Sequence, residues 1–122
     1  MKSFYYRIIR LTIINMKRYG QIIGLKKEHL TGYMDAHQKV WPEVLSMIKE
    51  CNIRNYSIFY NDGYLFSYFE YTGKDFKTDM EKMAADLTTQ KWWKVMKPMQ
   101  EPLESVDDGE WWTTMKEVFH MN

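Results

Sequence analysis

Asn52-Ile53-Arg54-Asn55-Tyr56-Ser57-Ile58-Phe59-Tyr60-Asn61-Asp62-Gly63-Tyr64-Leu65-Phe66-Ser67-Tyr68-Phe69-Glu70-Tyr71 is the stretch whose reading decides the fold. Residues 52–60 and 64–71 are rich in aromatic and β-branched side chains, which suit a pleated, half-buried surface. Asn61-Asp62-Gly63 joins them, and Asp-Gly supplies residues that tolerate the positive φ a tight hairpin turn needs. The pair is an antiparallel hairpin. If its first strand is regular, Tyr56 shares a face with Arg54, Ile58 and Tyr60.

Upstream, Val44, Leu45, Met47, Ile48 and Cys51 form the apolar stripe of a helix over residues 43–50, with Pro42 in its first turn. A proline disfavours helix in the residue before it, so Trp41 marks a break between this helix and an earlier helical run over residues 27–39. Residues 17–25 are β-like, and Gly20 and Gly24 allow close backbone approach or a bulge. Downstream, Asp75 is placed to cap a helix carrying Phe76, Met80 and Met83. Thr88 or Thr89 is expected to cap a further helix carrying Trp92, Trp93 and Met96, which Pro98 ends. Residues 101–110 read as an acidic loop, and residues 111–120 alternate like a last strand.

The resulting order is β-α-β-β-α-β. It predicts an α+β, ferredoxin-like fold: an antiparallel sheet with helices over one face. The open face of that sheet would be aromatic and would need a cover, which predicts a homodimer.

A chain of 122 residues with 45% hydrophobic and 16% aromatic content is one packed domain rather than two or a disordered tail. The domain is placed at residues 16–122. Residues 1–15 carry Lys2, Arg7 and Arg10 among their apolar positions, so they fit neither a signal-peptide core nor a membrane span. They are read as an N-terminal extension: an upstream in-frame start or a strand-like arm. Net charge is +1, so no bulk field favours nucleic acid or anionic lipid. The lone Cys51 excludes an internal disulfide framework and fits a reducing cytoplasm.

Tyr33 and His37 are four residues apart and share one helical face. A phenol, an imidazole that titrates near neutrality and indoles from elsewhere make an apolar wall with protonic groups. A small polyhydroxylated ligand such as a monosaccharide matches it, packing C–H faces on indole and hydroxyls on donors and acceptors. Adjacent helical residues point about 100° apart, so one of Trp92 and Trp93 should face the core and the other a cleft. The three histidines have no metal-ligand spacing, no glycine-rich phosphate loop is present, and Cys51 sits on an apolar stripe. No metal and no cofactor are expected.

Tyr33-x3-His37-x3-Trp41-Pro42-Glu43, Asn55-Tyr56-Ser57-Ile58, Trp92-Trp93-Lys94 and Lys116-Glu117-Val118-Phe119 occur in that order. Together they resemble the L-rhamnose mutarotase family, and the likeness runs from Met16 to the C-terminus. The resemblance implies a dimeric ferredoxin-like fold and a cytoplasmic, cofactor-free isomerase that interconverts the α and β anomers of L-rhamnose. It implies His37 as proton donor, with Tyr33, Tyr56, Trp92 and Trp93 binding the sugar. The extension before Met16 and the acidic loop over residues 101–110 depart from the family pattern. Two alternatives stand beside it: a ferredoxin-like monooxygenase or haem-degrading enzyme, and a non-catalytic sugar-binding module.

Overall fold

A computed structural model describes residues 16–122. The N-terminal extension of residues 1–15 lies outside the described residues. Strand β1 (Lys17–Leu25) lies inside the sheet. Strands β2 (Ile53–Asn61) and β3 (Tyr64–Tyr71) form the expected hairpin. Asp62 and Gly63 both have positive φ, 48° and 88°, as a two-residue type I′ turn requires. On its other edge β1 pairs with two short strands, β4 (Gln100–Glu101) and β5 (Thr113–Met115). The order β2-β3-β1-β4, antiparallel throughout, is compatible with the ferredoxin-like arrangement.

Each helical position in that plan is filled by a pair of helices. A 3-10 turn (Lys27–His29) leads into α1 (Leu30–His37), and α2 (Pro42–Glu50) follows the break at Trp41. Trp41 is extended, with φ −59° and ψ 133°, as the residue before a proline should be. The second pair is α3 (Phe76–Ala85) and α4 (Leu87–Met96), with Pro98 in a closing 3-10 turn (Lys97–Met99).

Strand β3 alternates strictly: Leu65, Ser67, Phe69 and Tyr71 are buried, whereas Tyr64, Phe66, Tyr68 and Glu70 face the other way. The buried side carries the core in two clusters. One joins Ile23, Leu25 and Leu65 to Tyr33, Val44, Trp92 and Met96. The other joins Ile53 and Phe69 to Cys51 and Met83, and Trp93 packs against both. Cys51 is fully buried in this core. The glycines expected to permit close approach do so at Gly24, where a Cβ would stand 2.7 Å from the Glu101 carbonyl oxygen.

Three local expectations are corrected. The first helix of the second pair is capped by Asp75 as predicted, through the Thr78 N–H. The next helix is capped by Asp86, not by Thr88 or Thr89. Its Oδ2 accepts from the Thr89 N–H at 2.9 Å and the Thr89 hydroxyl at 2.8 Å, so the threonine is the partner of the cap. Asp also closes α3, and a carboxylate at a helix start matches the helix dipole. The last strand shrinks to Thr113–Met115, because beyond it the chain leaves β1 and Val118, Phe119 and Met121 are exposed. Arg18 Nε ties that tail down at Glu117, 2.9 Å away.

The third correction positions the site. Strand β2 is not regular: its register against β3 shifts between Arg54 and Ser57. Asn55 there has φ 49°. Arg54 pairs with Glu70 on the open face, whereas Ile58 pairs with Ser67 and Tyr60 with Leu65 on the helix face. Tyr56 packs its ring on Phe69, with centroids 5.6 Å apart, and so also lies on the helix face. Arg54 therefore does not share a face with Tyr56. One extra residue in a bulge inverts the alternation after it, and Asn is among the few residues that tolerate the required backbone.

Asn55→Gly and Asn55→Val both remove the bond from Asn55 Nδ2 to Glu70, so their difference isolates the backbone. The valine variant should be less stable than the glycine variant by about 1–2 kcal/mol. Denaturant unfolding of the pair measures this, and equal stabilities would contradict a bulge held by positive φ.

Candidate active site

His37 occupies the last turn of α1. Its Nδ1 lies 2.8 Å from the backbone carbonyl oxygen of Tyr33, one turn back. A carbonyl oxygen only accepts, so Nδ1 carries the proton and, in the neutral ring, Nε2 holds a free lone pair. Burial lowers the imidazole pKa below its ordinary value, and the bond to Tyr33 offsets part of that shift. At neutral pH His37 is therefore an uncharged ring of one tautomer.

Aromatic rings fix that imidazole from two sides. The Tyr33 ring lies 4.2 Å away, tilted by 31°. The Trp92 ring meets it edge-on at 5.4 Å. Trp92 in turn meets Trp41 edge-on at 5.2 Å. Trp41 reaches this position because the helix stops at His37 and the chain turns back at Pro42. A continuous helix would have stacked it above His37 instead.

The five residues singled out from the sequence fall in different surroundings. Tyr33 is a core residue, 4% exposed. Its hydroxyl accepts from Gln100 Nε2 at 3.2 Å. Burial raises its pKa and the Gln100 bond opposes that, so it remains a phenol. Tyr56 has 42% of its surface exposed. Desolvation nonetheless holds its hydroxyl above the ordinary phenol range, with a further push from Tyr33. Trp92 is the core-facing member of the indole pair, 7% exposed. Trp93 is half-buried where the two core clusters meet.

Three participants escaped the sequence reading. Gln100 links the site to the far edge of the sheet: its Oε1 accepts from Trp111 Nε1 at 2.8 Å while its Nε2 donates to Tyr33. Lys97 sets its ammonium 5.6 Å from the Trp93 ring centroid and 5.2 Å from that of Trp111, so one cation bridges two indoles. A glutamine after a proline turn carries no local signal of this kind, and Trp111 reads as one more aromatic of a last strand. Two broad surface depressions among the described residues, about 520 and 530 Å³, are lined by residues around Lys26 and around Phe76 and include none of the His37 cluster. The cluster meets solvent through half-buried His37 and Trp93 and exposed Tyr56.

Such a site offers one imidazole poised to take a proton, two un-ionised phenols and indole faces. It is suited to a neutral ligand rich in hydroxyls, with one proton to be moved. No described helix is long and apolar enough to cross a membrane.

The family model described as L-rhamnose mutarotase matches residues 18–121. An L-rhamnose mutarotase of Oceanobacillus iheyensis is 36% identical over 109 residues, spanning 88% of this chain and all of its own. One of Lactiplantibacillus plantarum is likewise 36% identical over 109 residues, with the same coverage. Among solved structures, an L-rhamnose mutarotase of Formosa agariphila superposes with a TM-score of 0.67 at 24% identity. It covers 87% of this chain and 99% of its own, a likeness that bears on the fold. The chain belongs to the L-rhamnose mutarotase family.

Proposed function

We propose that this protein is an isomerase that interconverts the α and β anomers of L-rhamnose or a closely related 6-deoxy sugar. The observation that carries the reading is the neutral His37 ring, with its proton held on Nδ1 by the Tyr33 carbonyl and Nε2 left to react. In ring opening, His37 Nε2 takes the proton of the anomeric hydroxyl. The electron pair of that O–H bond becomes the C1=O double bond, and the bond from C1 to the ring oxygen breaks. The imidazolium then donates the same proton to the ring oxygen and is neutral again. Rotation about C1–C2 and the reverse steps close the ring on its other face. General acid–base help is typically worth roughly 100- to 10,000-fold, enough for a reaction that already proceeds in water.

Tyr33 and Tyr56 are raised above the ordinary phenol range, so they serve as donors to sugar oxygens rather than as bases. Trp93 stacks on an apolar sugar face, and Trp92 contributes by bracing His37. A reducing cytoplasm suits the lone, buried Cys51. A second copy of the chain covers the open sheet face, where Phe59 and Tyr64 are 64% and 43% exposed and which Met115 shares from the far strand.

Saturation-transfer NMR of L-rhamnose should show faster anomer exchange at micromolar protein with no additive; exchange no faster than in buffer would refute the activity. His37→Asn should lower turnover at least about 100-fold while sugar binding changes little. Because protonation occupies Nε2, wild-type turnover should be full at pH 7–8. It should fall as pH drops through a midpoint below the ordinary imidazole value of about 6.5. A rate that climbs on acidification through that range would reverse the assignment. Phe59→Asp should split the dimer in light scattering, and a wild-type monomer would contradict the proposed cover.

A further inference from the structure

We propose that Gln100 is a positioning residue that fixes the direction in which the Tyr33 hydroxyl donates, turning its proton toward the sugar. The inference rests on the mutarotase reading of the site and adds to it a residue 67 positions away in sequence.

The relay begins at Trp111. An indole N–H is a donor only, so the atom of the Gln100 amide facing it at 2.8 Å must be the oxygen. That settles the orientation of the amide and leaves its NH₂ facing Tyr33. An amide nitrogen donates and does not accept, so the Tyr33 oxygen is the acceptor at 3.2 Å. One lone pair of the phenol is thereby used, and its own proton is left to point elsewhere. Among the described residues the Tyr33 hydroxyl makes no other hydrogen bond. The His37 ring lies against the Tyr33 ring, with centroids 4.2 Å apart and planes tilted by 31°, so the phenol adjoins the group that moves the proton. An unpaired buried donor is costly, and a sugar oxygen in that position would satisfy it.

The backbone holds this relay. Gln100 pairs with Leu25 on β4, it is 7% exposed, and Lys26 N–H donates to the Met99 carbonyl beside it at 3.0 Å. Trp111 is steadied by the Lys97 ammonium over its ring. The loop between β4 and β5 is thus hydrogen-bonded to Tyr33 through this amide.

Gln100→Glu keeps the shape and reverses the bond. A carboxylate still accepts from Trp111, but its second oxygen now takes the Tyr33 proton. The KM for L-rhamnose should rise about three- to tenfold, the loss of one hydrogen bond, with kcat little changed. Tyr33→Phe should do the same, and the double variant should be no worse than either single one. The deficit should shrink as pH falls, when the introduced carboxyl becomes protonated and donates again. A purely structural role predicts neither the non-additivity nor the recovery; additive losses, or a wild-type KM in Gln100→Glu, would overturn the proposal. A sugar-independent arm separates this from failure of the mutarotase reading. In ultraviolet titration, read as the difference from Tyr33→Phe, Tyr33 should ionise at higher pH in Gln100→Glu than in the wild type. An unchanged titration would overturn the proposal even if the protein turns over no sugar. If Gln100→Glu does not fold, Gln100→Leu with Tyr33→Phe supplies the same cycle, and additive losses there would overturn it equally.

Discussion

One hydrogen bond, from His37 Nδ1–H to the Tyr33 carbonyl oxygen, decides what the site can do. An imidazole free to rotate presents either nitrogen and either tautomer. Bonded to its own helix one turn back, it presents only Nε2 to a ligand. Burial then keeps the ring uncharged, so the same constraint that chooses the nitrogen also chooses its protonation state. The rest of the local structure can be read as support for that bond: Tyr33 below the ring, Trp92 at its edge, Trp41 behind Trp92.

Two breaks in regular structure bring the remaining groups to it. The helix that carries His37 ends there, and Pro42 restarts the chain at an angle that returns Trp41 to the cluster. The bulge at Asn55 turns Tyr56 from the open face of the sheet to the helix face. Without the first, the indole wall would lose its backing. Without the second, the Tyr56 phenol would lie on the opposite side of a sheet from the imidazole. Both are short deviations at the cost of a backbone hydrogen bond or two, and both are fixed by a residue type suited to them.

Much of this was legible in the sequence where a single residue dictates local geometry. Asp62-Gly63 located the hairpin because few other residues accept positive φ twice in succession, and Pro42 located the break because its ring forbids helix before it. The β-α-β-β-α-β plan follows from those two signals together with the β-like run over residues 17–25, the downstream helical stripes and the alternation over residues 111–120. What sequence could not show were the features set by competition or by distance. Asp86 and two threonines all favour a helix start, and only the fold shows that the aspartate wins and takes Thr89 as its partner. Asn55 looks like any strand residue until its φ is known. Residues 111–120 alternate in pattern, but only Thr113–Met115 pair with β1, and β4 takes Gly24 and Leu25 of the same edge. The amide of Gln100 acquires meaning only when β4 brings it beside Tyr33.

The proposed chemistry depends on the protonation state and tautomer of one ring, and long-range ¹H–¹⁵N NMR of the imidazole reads both directly. At pH 7 His37 should show a protonated Nδ1 and an unprotonated Nε2. That pattern should give way to the doubly protonated ring only below the ordinary imidazole range. A ring protonated on Nε2, or one still charged at pH 7, would contradict it.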